Sequence, residues 1–379
     1  MDRLCVHLEG NPIYSIILDQ SFGGLAAEVE KLGTQRRKLC IVTDSNVADL
    51  YLDEVRRLLS PVCRQVDSFV FPAGEEQKNL DTVRKLYQVL IQKEYDRNDM
   101  LAALGGGVTG DLCGFAAATY LRGISFIQIP TTLLAQVDSS IGGKTGVDFD
   151  SYKNMVGAFH MPKLVYTNVK TLLTLPDDQF ISGMGEVVKH GLIRNEEYYR
   201  WLAENADAIM ERKLSLCQKM ILESNRIKRD VVEQDPTEKG QRALLNFGHT
   251  LGHAIEKKKD FSMAHGCCVA VGFLAAARIS QMRGFLTEAD MEELRNVMKN
   301  FGLPLTVEIP DAAEVLDAVK HDKKMDSGVI KFILLKKVGE AYVDRTVSRE
   351  EMEAGLDYIL ACPGKSDKTR RWRLLLDTS

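Results

Sequence analysis

The stretch MLAALGGGVTGDLCGFAAATYL, residues 100–121, joins two apolar runs through a cluster of glycines. The first run is typical of a buried strand, and the second has the length and composition of a helix that begins directly after the glycines. Gly105, Gly107 and Gly110 fit the spacing G-x-G-x-x-G. Such glycines let a backbone approach a pyrophosphate, and the helix N-terminus offers free N–H donors. The stretch therefore predicts a strand–turn–helix unit of an α/β fold.

The glycine motif leaves two interpretations open. A dinucleotide fingerprint would place an acidic residue about twenty positions later, but that region, SFIQIP, has none. The motif could therefore be a phosphate-binding turn or only a tight turn. Asp44, in TDSN (43–46), is open in the same way, because it could bind a ribose or form a plain turn.

The segments around this unit alternate between strand and helix patterns up to about residue 175. The predicted strands are 38–44, 66–74, 100–107 and 124–132, and a helix is predicted over 80–91. Such alternation is typical of a mainly parallel sheet covered by helices. After 171–178 the chain is dominated by long amphipathic segments, such as 196–233 and 288–301. We therefore expect a second, helical half that begins at Pro176, with a small-molecule site in the cleft between the halves.

Composition excludes several classes of protein. The net charge of −4 argues against a nucleic-acid partner, which usually selects for a strong basic excess. The eight cysteines are scattered without a C-x-x-C pair, which favours a reduced, cytoplasmic setting. No signal peptide is expected in MDRLCVHLEG, because charged residues interrupt it. The longest apolar run, 267–277, is too short to span a membrane and predicts a buried helix.

A polar cluster follows the glycine unit. Within residues 122–154 it contains Arg122, Thr131, Thr132, Asp138, Lys144, Lys153 and Asn154. The pair Gly142-Gly143 next to Lys144 resembles an anion-binding turn. A solvated loop is the alternative, but a loop this rich in glycine and lysine inside an apolar α/β unit favours an anionic ligand.

Three histidines in the second half could hold a metal. NFGHTLGHAIE contains His249 and His253, MAHGCC contains His265, and GMGEVVKHG offers Glu186. Two histidines and one glutamate suit a catalytic zinc site with an open position. The spacing i, i+4 would pair His249 with His253, while a threonine at position 250 excludes the H-E-x-x-H protease motif. Spacing alone does not choose the second histidine ligand.

Together these segments closely resemble the 3-dehydroquinate synthase family. The matching pieces run in the family's order over residues 40–335 and read PAGEEQKNL, LGGGVTGDLCGFAAATYLRGISFIQIPTTLLAQVDSSIGGKTGV, KNMVGAF, GEVVKHGLI, LLNFGHTLGHAIE, HG and DKK. The resemblance implies an N-terminal Rossmann-like NAD-binding α/β domain (1–175) and a C-terminal α-helical metal-binding domain (176–362), with the active site in the cleft between them. Residues 363–379 would form a C-terminal extension, which we expect to be disordered.

The resemblance also implies cofactors and site residues. The cofactors would be NAD and Zn²⁺ (or Co²⁺), with the metal on Glu186, His249 and His265. The residues implied for NAD are Asp44, Asn46, Glu75, Lys78, Gly106, Gly107, Val108, Thr109, Gly110, Asp111, Thr131, Thr132, Lys144, Lys153, Thr171 and Thr174. Those implied for the substrate are Arg122, Asp138, Lys144, Asn154, Lys189, Lys228, Arg242, Asn246, His253 and Lys324, of which Lys144, Asn154, Lys189 and His253 would be catalytic. In the family the enzyme is a homodimer and the arginine matching Arg122 reaches across its interface.

The reaction implied is the second step of the shikimate pathway, which leads to chorismate and the aromatic amino acids. It converts 3-deoxy-D-arabino-heptulosonate 7-phosphate to 3-dehydroquinate and phosphate, through transient NAD-mediated oxidation, β-elimination of phosphate, re-reduction, ring opening and aldol closure. Two positions depart from the family pattern: Cys267 stands where glutamate is common, and Asp148 where asparagine is frequent. Neither departure removes an implied ligand.

Three other functions compete with this one. Another sugar phosphate cyclase would act on a substrate without a carboxylate, against which Arg242 and Lys228 argue. A metal- and NAD-dependent alcohol dehydrogenase of the glycerol dehydrogenase type would not need the phosphate-binding residues around GGKTGV. A non-catalytic NAD-binding protein would be expected to lose a zinc ligand or a key lysine, and none is missing.

Overall fold

The structure is a computed structural model and describes residues 1–150, 152–309, 312–320, 325–326 and 329–360. Its strands are β1 (Asp2–Leu8), β2 (Asn11–Asp19), β3 (Lys38–Asp44), β4 (Gln65–Phe71), β5 (Met100–Gly105), β6 (Ser125–Pro130), β7 (Lys144–Phe149), β8 (Tyr152–Phe159), β9 (Leu164–Asn168), β10 (Met325–Asp326), β11 (Val329–Ile330), β12 (Phe332–Lys337) and β13 (Glu340–Asp344). Its helices are α1 (Leu25–Glu30), α2 (Ser45–Val47), α3 (Asp53–Leu59), α4 (Leu80–Gln92), α5 (Gly107–Thr119), α6 (Asp177–Arg194), α7 (Glu196–Glu204), α8 (Ala206–Met210), α9 (Leu214–Gln234), α10 (His249–Lys258), α11 (His265–Met282), α12 (Glu288–Asn300), α13 (Ala312–Lys320) and α14 (Arg349–Ile359).

A seven-stranded sheet organises the N-terminal part, with strand order β1-β2-β9-β6-β5-β3-β4. Every neighbouring pair is parallel except β1 with β2. Strand β5 is buried along its whole length, because hydrophobic clusters form on both faces of the sheet. This explains why the central strands read as continuous apolar runs. The four strands and the helix predicted from sequence in this part are confirmed, with ends that differ by up to three residues.

The C-terminal part is mainly helical. Helix α11 contains the apolar run 267–277 and is buried nearly throughout, because α6, α10, α12 and α14 all pack around it. The predicted buried helix is therefore confirmed. The segment 196–233, expected as a long amphipathic stretch, is divided among α7, α8 and α9.

Two local features differ from the predictions. Residues 144–149 and 152–159 form the antiparallel strands β7 and β8 instead of the loop that their glycine and lysine content predicts. Here Lys144, Thr145 and Gly146 pair with Phe159, Ala158 and Gly157, so the polar cluster is stiffened by a ladder of hydrogen bonds. The mainly helical part also contains the antiparallel strand pairs β10–β11 and β12–β13.

The predicted boundary at Pro176 stays a prediction. The last strand of the sheet ends at Asn168 and α6 begins at Asp177, with Pro176 as its N-cap. One hydrophobic cluster, however, joins residues of β1 and β2 to residues of α6, α9 and α11. The two parts therefore share a core. Lys324 and the predicted extension 363–379 lie outside the described residues. Among the described helices, none combines the length and apolar character that a membrane span requires.

Candidate active site

The predicted nucleotide residues gather at one edge of the sheet. Strands β3, β5 and β6 are adjacent and parallel, with Thr43 opposite Leu104 and Gly105 opposite Pro130. Because the carboxyl ends of parallel strands meet at one edge, the segments that follow them are neighbours there. These segments carry Asp44, the glycine loop 106–111 (Gly106, Gly107, Val108, Thr109, Gly110 and Asp111), and the pair Thr131 and Thr132.

The glycine loop begins α5, and Gly106 is its N-cap without a side-chain cap. The first N–H groups of this 13-residue helix are therefore available to an anion. The glycines are required by close packing. A Cβ on Gly105 would lie 2.5 Å from Thr109 Oγ1, and one on Gly110 would lie 2.8 Å from Gln128 Oε1. A side chain at either position would therefore disturb the loop that a phosphate would approach.

Asp44 forms a turn, which is one of the two roles that the sequence left open for it. Its Oδ1 accepts hydrogen bonds from the backbone N of Asn46 at 3.0 Å and of Val47 at 3.1 Å. Its Oδ2 accepts from Thr109 Oγ1 at 3.2 Å, which ties the end of β3 to the glycine loop. The role of Asp44 and Asn46 toward a ribose stays a prediction.

The threonines of this edge have different surroundings. Thr131 is buried, and its Oγ1 has no hydrogen-bond partner. Thr132 Oγ1 accepts from the backbone N of Ala135 at 3.2 Å. Thr171 Oγ1 already has a partner within the protein, since it donates a hydrogen bond to the backbone oxygen of Asn168 at 2.9 Å. Thr174 is exposed and contacts Tyr51 through its hydroxyl.

A buried ammonium group organises the acidic residues beside the loop. Lys78 Nζ lies 3.1 Å from Glu75 Oε1, 3.4 Å from Asp111 Oδ2 and 3.8 Å from Asp148 Oδ1. Burial raises the pKa of Asp111 to about 6, although Lys78 opposes this shift. Asp148 is one of the two departures from the family pattern. Its Oδ1 also accepts a hydrogen bond from the backbone N of Asn154 at 2.7 Å. This bond helps to hold Asn154, which is exposed, in its left-handed conformation.

Close crossings of helices bring the predicted metal ligands together. A Cβ on Gly272 of α11 would overlap the carbonyl oxygen of Gly248, which precedes α10. A Cβ on Gly185 of α6 would overlap the carbonyl oxygen of Gly266 in α11. Because these glycines let α6 and α10 both approach the start of α11, Glu186, the α10 histidines and His265 share one site.

Glu186 lies at the centre of this site. It is fully buried, and its Oε1 has no hydrogen-bond partner. That oxygen lies 3.6 Å from His249 Nε2 and 3.9 Å from His265 Nε2. His249 Nδ1 is 3.3 Å from the backbone oxygen of Phe247, and His265 Nδ1 is 3.1 Å from Glu256 Oε2. Both Nδ1 atoms face acceptors, so in the neutral imidazoles that keep the proton on Nδ1, the Nε2 atoms that face Glu186 are left to bind a metal.

His253 is adjacent to these two histidines. Its ring centroid lies 5.1 Å from that of His249 and 5.7 Å from that of His265. Among the described residues, two groups of side chains have the spacing of a metal site: one is His249, His253 and His265, and the other is Asp138, Glu186 and His190. In the second group Asp138 is already paired with Lys228, and Glu186 Oε2 contacts Lys189. Two ammonium groups at that position oppose a cation, so the histidine side of Glu186 is the better metal position.

The residues predicted for a carboxylate and a phosphate form two clusters. Lys228 binds Asp138, whereas Arg242 Nη2 donates to the backbone oxygen of Gly142 at 3.0 Å. Arg242 is 1% exposed and its Nε has no hydrogen-bond partner. In the second cluster Glu238 contacts Lys144, and its Oε1 accepts from Asn246 Nδ2 at 2.8 Å.

Arg122 is not brought into contact with these clusters. It is exposed in the helical turn Tyr120–Arg122 that follows α5, and it has a positive φ of 68°.

Two residues of the site, Glu238 and Glu256, were not predicted from the sequence. Glu256 follows His249 and His253 at i+7 and i+3 on one helix face, so its position could be predicted from sequence. Glu238 sits in a loop with a positive φ of 58°, for which the sequence has no such signal.

Comparison with known proteins identifies the family. Residues 68–182 match the model described as 3-dehydroquinate synthase N-terminal, and residues 183–325 match the C-terminal model. A 3-dehydroquinate synthase from Acetivibrio thermocellus is 43% identical over 355 residues, which cover 93% of this chain and 97% of that protein.

Two solved structures are similar along most of the chain. The 2-deoxy-scyllo-inosose synthase complexed with carbaglucose-6-phosphate, NAD⁺ and Co²⁺ has a TM-score of 0.84 at 25% identity, covering 94% of this chain and 99% of that one. ValA, the 2-epi-5-epi-valiolone synthase from Streptomyces hygroscopicus subsp. jinggangensis with NAD⁺ and Zn²⁺ bound, has a TM-score of 0.84 at 26% identity, covering 91% and 96%. The structural similarity confirms the predicted fold class, and the family models and the sequence relative show that the chain belongs to the 3-dehydroquinate synthase family.

Proposed function

We propose that this site converts 3-deoxy-D-arabino-heptulosonate 7-phosphate to 3-dehydroquinate and phosphate, as a carbon–oxygen lyase that depends on NAD and a divalent metal. The observation that carries the proposal is the buried Glu186 Oε1, which has no hydrogen-bond partner and faces the Nε2 atoms of His249 and His265. A buried carboxylate oxygen without a partner is costly unless a cation or a donor occupies the space beside it.

The donor set fits zinc or cobalt. Glu186, His249 and His265 would hold the ion, because two imidazoles and one carboxylate with a position left open are typical of catalytic sites. The similar inosose and valiolone synthases were solved with Co²⁺ and with Zn²⁺, each together with NAD⁺. When bound, NAD supplies a hydride acceptor that is regenerated within one turnover, and the metal supplies a Lewis acid for the hydroxyl oxygens of the substrate.

The side chains around this position have separate tasks. Lys189 is 1% exposed and contacts Glu186 Oε2, so its remaining N–H groups can donate to a substrate oxygen at C4 or C5. His253, half-buried beside His249, can hold or relay a proton. Arg242 and Lys228 offer cationic donors to a carboxylate, and the hydrogen bond from Arg242 Nη2 to the backbone oxygen of Gly142 helps to position the guanidinium group.

The phosphate would bind to Lys144 and Asn246, together with Asn154. In the structure Glu238 holds Lys144 and Asn246 in place with one carboxylate oxygen each. A dianionic phosphate group competes with that carboxylate for the same two donors, because it carries more charge and more acceptor oxygens. The site is thus organised before the substrate arrives, and it exchanges one anion for another on binding.

We also propose that the protein acts as a cytoplasmic homodimer in which Arg122 completes the site of the partner subunit. Support comes from the exposed position of Arg122 at the end of α5, away from the two anion clusters of its own chain. An exposed arginine in a left-handed turn projects outward and is suited to reach a second copy.

The decisive experiment follows phosphate and NADH together. The protein is stripped of nucleotide, loaded with zinc, and given the heptulosonate phosphate with NAD well below the substrate concentration. We expect phosphate equal to the substrate consumed, 3-dehydroquinate as product, and no net NADH by absorbance. Conversion of all the added NAD to NADH, with the reaction stopping at that point, would instead support an alcohol dehydrogenase, and phosphate release that persists without NAD would refute both. A sugar phosphate without the carboxylate serves as the control, and rapid turnover of it would favour another cyclase of this fold.

A further inference from the structure

Glu256 has two different partners, one for each carboxylate oxygen. It lies on α10 and is 3% exposed. Its Oε2 is 3.1 Å from His265 Nδ1, and its Oε1 accepts a hydrogen bond from Lys153 Nζ at 2.8 Å. One buried side chain therefore contacts both a proposed metal ligand and a residue predicted to bind NAD.

The contact with His265 selects one tautomer of that imidazole. An ionised carboxylate can only accept hydrogen bonds, so Nδ1 of His265 carries the proton in this contact. In the neutral imidazole the lone pair is then on Nε2, which faces Glu186 Oε1 at 3.9 Å. Carboxylates that accept from the second ring nitrogen of a histidine fix its tautomer and its orientation toward a metal.

The contact with Lys153 extends toward the glycine loop. Lys153 Nζ also lies 3.7 Å from Glu75 Oε1, and Glu75 lies 3.1 Å from Lys78 Nζ. Lys78 in turn lies 3.4 Å from Asp111, the fifth residue of α5. Charges of alternating sign thus connect the nucleotide edge of the sheet to the histidines of the helical part.

We propose that Glu256 is a positioning residue that orients His265 toward the metal and Lys153 toward the nucleotide, so that one side chain sets the affinity for both cofactors. The inference rests on the metal ligands assigned under the proposed function. A carboxylate is required for it, because the side chain must accept a hydrogen bond at each of two oxygens.

The substitution Glu256→Gln tests this requirement. Glutamine has the same shape, but one of its two terminal atoms is a donor. If its oxygen faces His265, its NH₂ group opposes the ammonium of Lys153; if it is turned round, the NH₂ group opposes His265 Nδ1–H. We therefore expect zinc affinity, measured by competition with a chromophoric chelator, to fall about ten- to a hundredfold, as for other residues that support metal ligands. NAD affinity, measured by fluorescence titration of the same protein, should also fall.

Two matched variants separate this role from a general loss of structure. Glu75→Gln removes the other carboxylate near Lys153 but touches no histidine, so it should weaken NAD and leave zinc affinity unchanged. Glu314→Gln removes a half-exposed partner of Lys258, also on α10, and should change neither affinity. A folded Glu256→Gln protein that retains its affinity for either zinc or NAD would overturn the inference.

A second measurement uses the native side chain and does not depend on the variant folding. In the zinc-loaded protein, ¹⁵N NMR of the His265 ring should show the metal on Nε2 and the proton on Nδ1. A zinc ion on Nδ1 would overturn the inference. An error in the proposed metal ligands would be recognised separately, because Glu186→Gln and His265→Ala would then keep zinc. If those two variants lose zinc and Glu256→Gln does not, only the positioning role is wrong.

Discussion

Lys228, which is buried, and Asp138, which is partly buried, lie ninety positions apart in the sequence and form an ion pair between the helical part and the sheet part of the chain. Lys228, on α9, donates to the backbone oxygen of Asp138 at 2.6 Å and also contacts its carboxylate. Burial by itself raises the pKa of Asp138, but Lys228 and then Lys189 outweigh it and hold that pKa far below its usual value. Burial also lowers the pKa of Lys228, although Asp138 opposes this shift.

Removing the cation of this pair should destabilise the fold. In Lys228→Met the carboxylate of Asp138 is left partly buried without its main partner. Breaking a buried pair in this way costs about 3 kcal/mol of unfolding free energy. Urea denaturation at pH 7 measures it, with the exposed pair Arg200–Glu196 as control, since Arg200→Met should cost less than about 0.5 kcal/mol. A Lys228→Met protein as stable as the control would show that the pair does not contribute to stability.

The same pair predicts a pH dependence. The pKa of Asp138 is lower in the folded state than in the unfolded state, where it is about 3.9. Its contribution is therefore fully present above that value, and it is lost as the pH falls toward the folded pKa. The stability difference between the native protein and Lys228→Met should shrink below about pH 4. A difference that stays constant from pH 7 to pH 3 would contradict the assigned direction.

Measuring the zinc content of variants should distinguish the histidines that bind the metal from His253. His249→Ala, His265→Ala and Glu186→Gln should each lose tightly bound zinc after dialysis, because a catalytic site has only about three protein ligands. His253→Ala should keep near-stoichiometric zinc and lose most turnover, since its proposed role is to hold or relay a proton. The assignment is wrong if folded His253→Ala lacks zinc while His265→Ala retains it, because the i, i+4 pair would then be the ligand set.

Gly142 should be irreplaceable for two reasons. Its φ is +93°, and a Cβ there would lie 2.5 Å from Arg242 Nη2. Gly33 has a φ of +73° with nothing within 4 Å of an added Cβ, so Gly33→Ala measures backbone strain alone. We expect Gly33→Ala to lower the free energy of unfolding by about 1 kcal/mol, and Gly142→Ala to lower it by about 1–3 kcal/mol more. Displacement of Arg242 should also raise the KM for the heptulosonate phosphate about tenfold or more. If both variants lose the same unfolding free energy and the KM of Gly142→Ala is unchanged, the residues around Arg242 accommodate the added methyl group without strain.

Mixing two inactive variants should test the shared site. If Arg122 acts in the partner subunit, heterodimers of Arg122→Ala with Lys144→Ala contain one complete site and one site with both defects. After subunit exchange at equal concentrations, half of the dimers are mixed, so about a quarter of the native activity should return. Verified heterodimers without recovered activity would place Arg122 in the site of its own chain.

Local patterns in the sequence were sufficient for the main elements of the fold. Alternation of apolar runs with helical periodicity predicted the strands 38–44 and 100–107 and the helix 80–91, because period and length are properties of each segment alone. The strand pair β7–β8 was not predicted, because its glycines and lysines are typical of a loop and its pairing depends on contacts between its two strands.

For the site, the sequence by itself determined the residue types: a glycine loop for a phosphate, lysines and arginines for anions, and histidines with a glutamate for a metal. It did not determine which histidines face Glu186. The tertiary structure decided that point, because the positions of the three side chains depend on where α6, α10 and α11 cross. Those crossings are set by close contacts such as Gly185 with Gly266 and Gly248 with Gly272. In the same way, only the fold places Glu256 between His265 and Lys153, since these residues come from α10, α11 and β8.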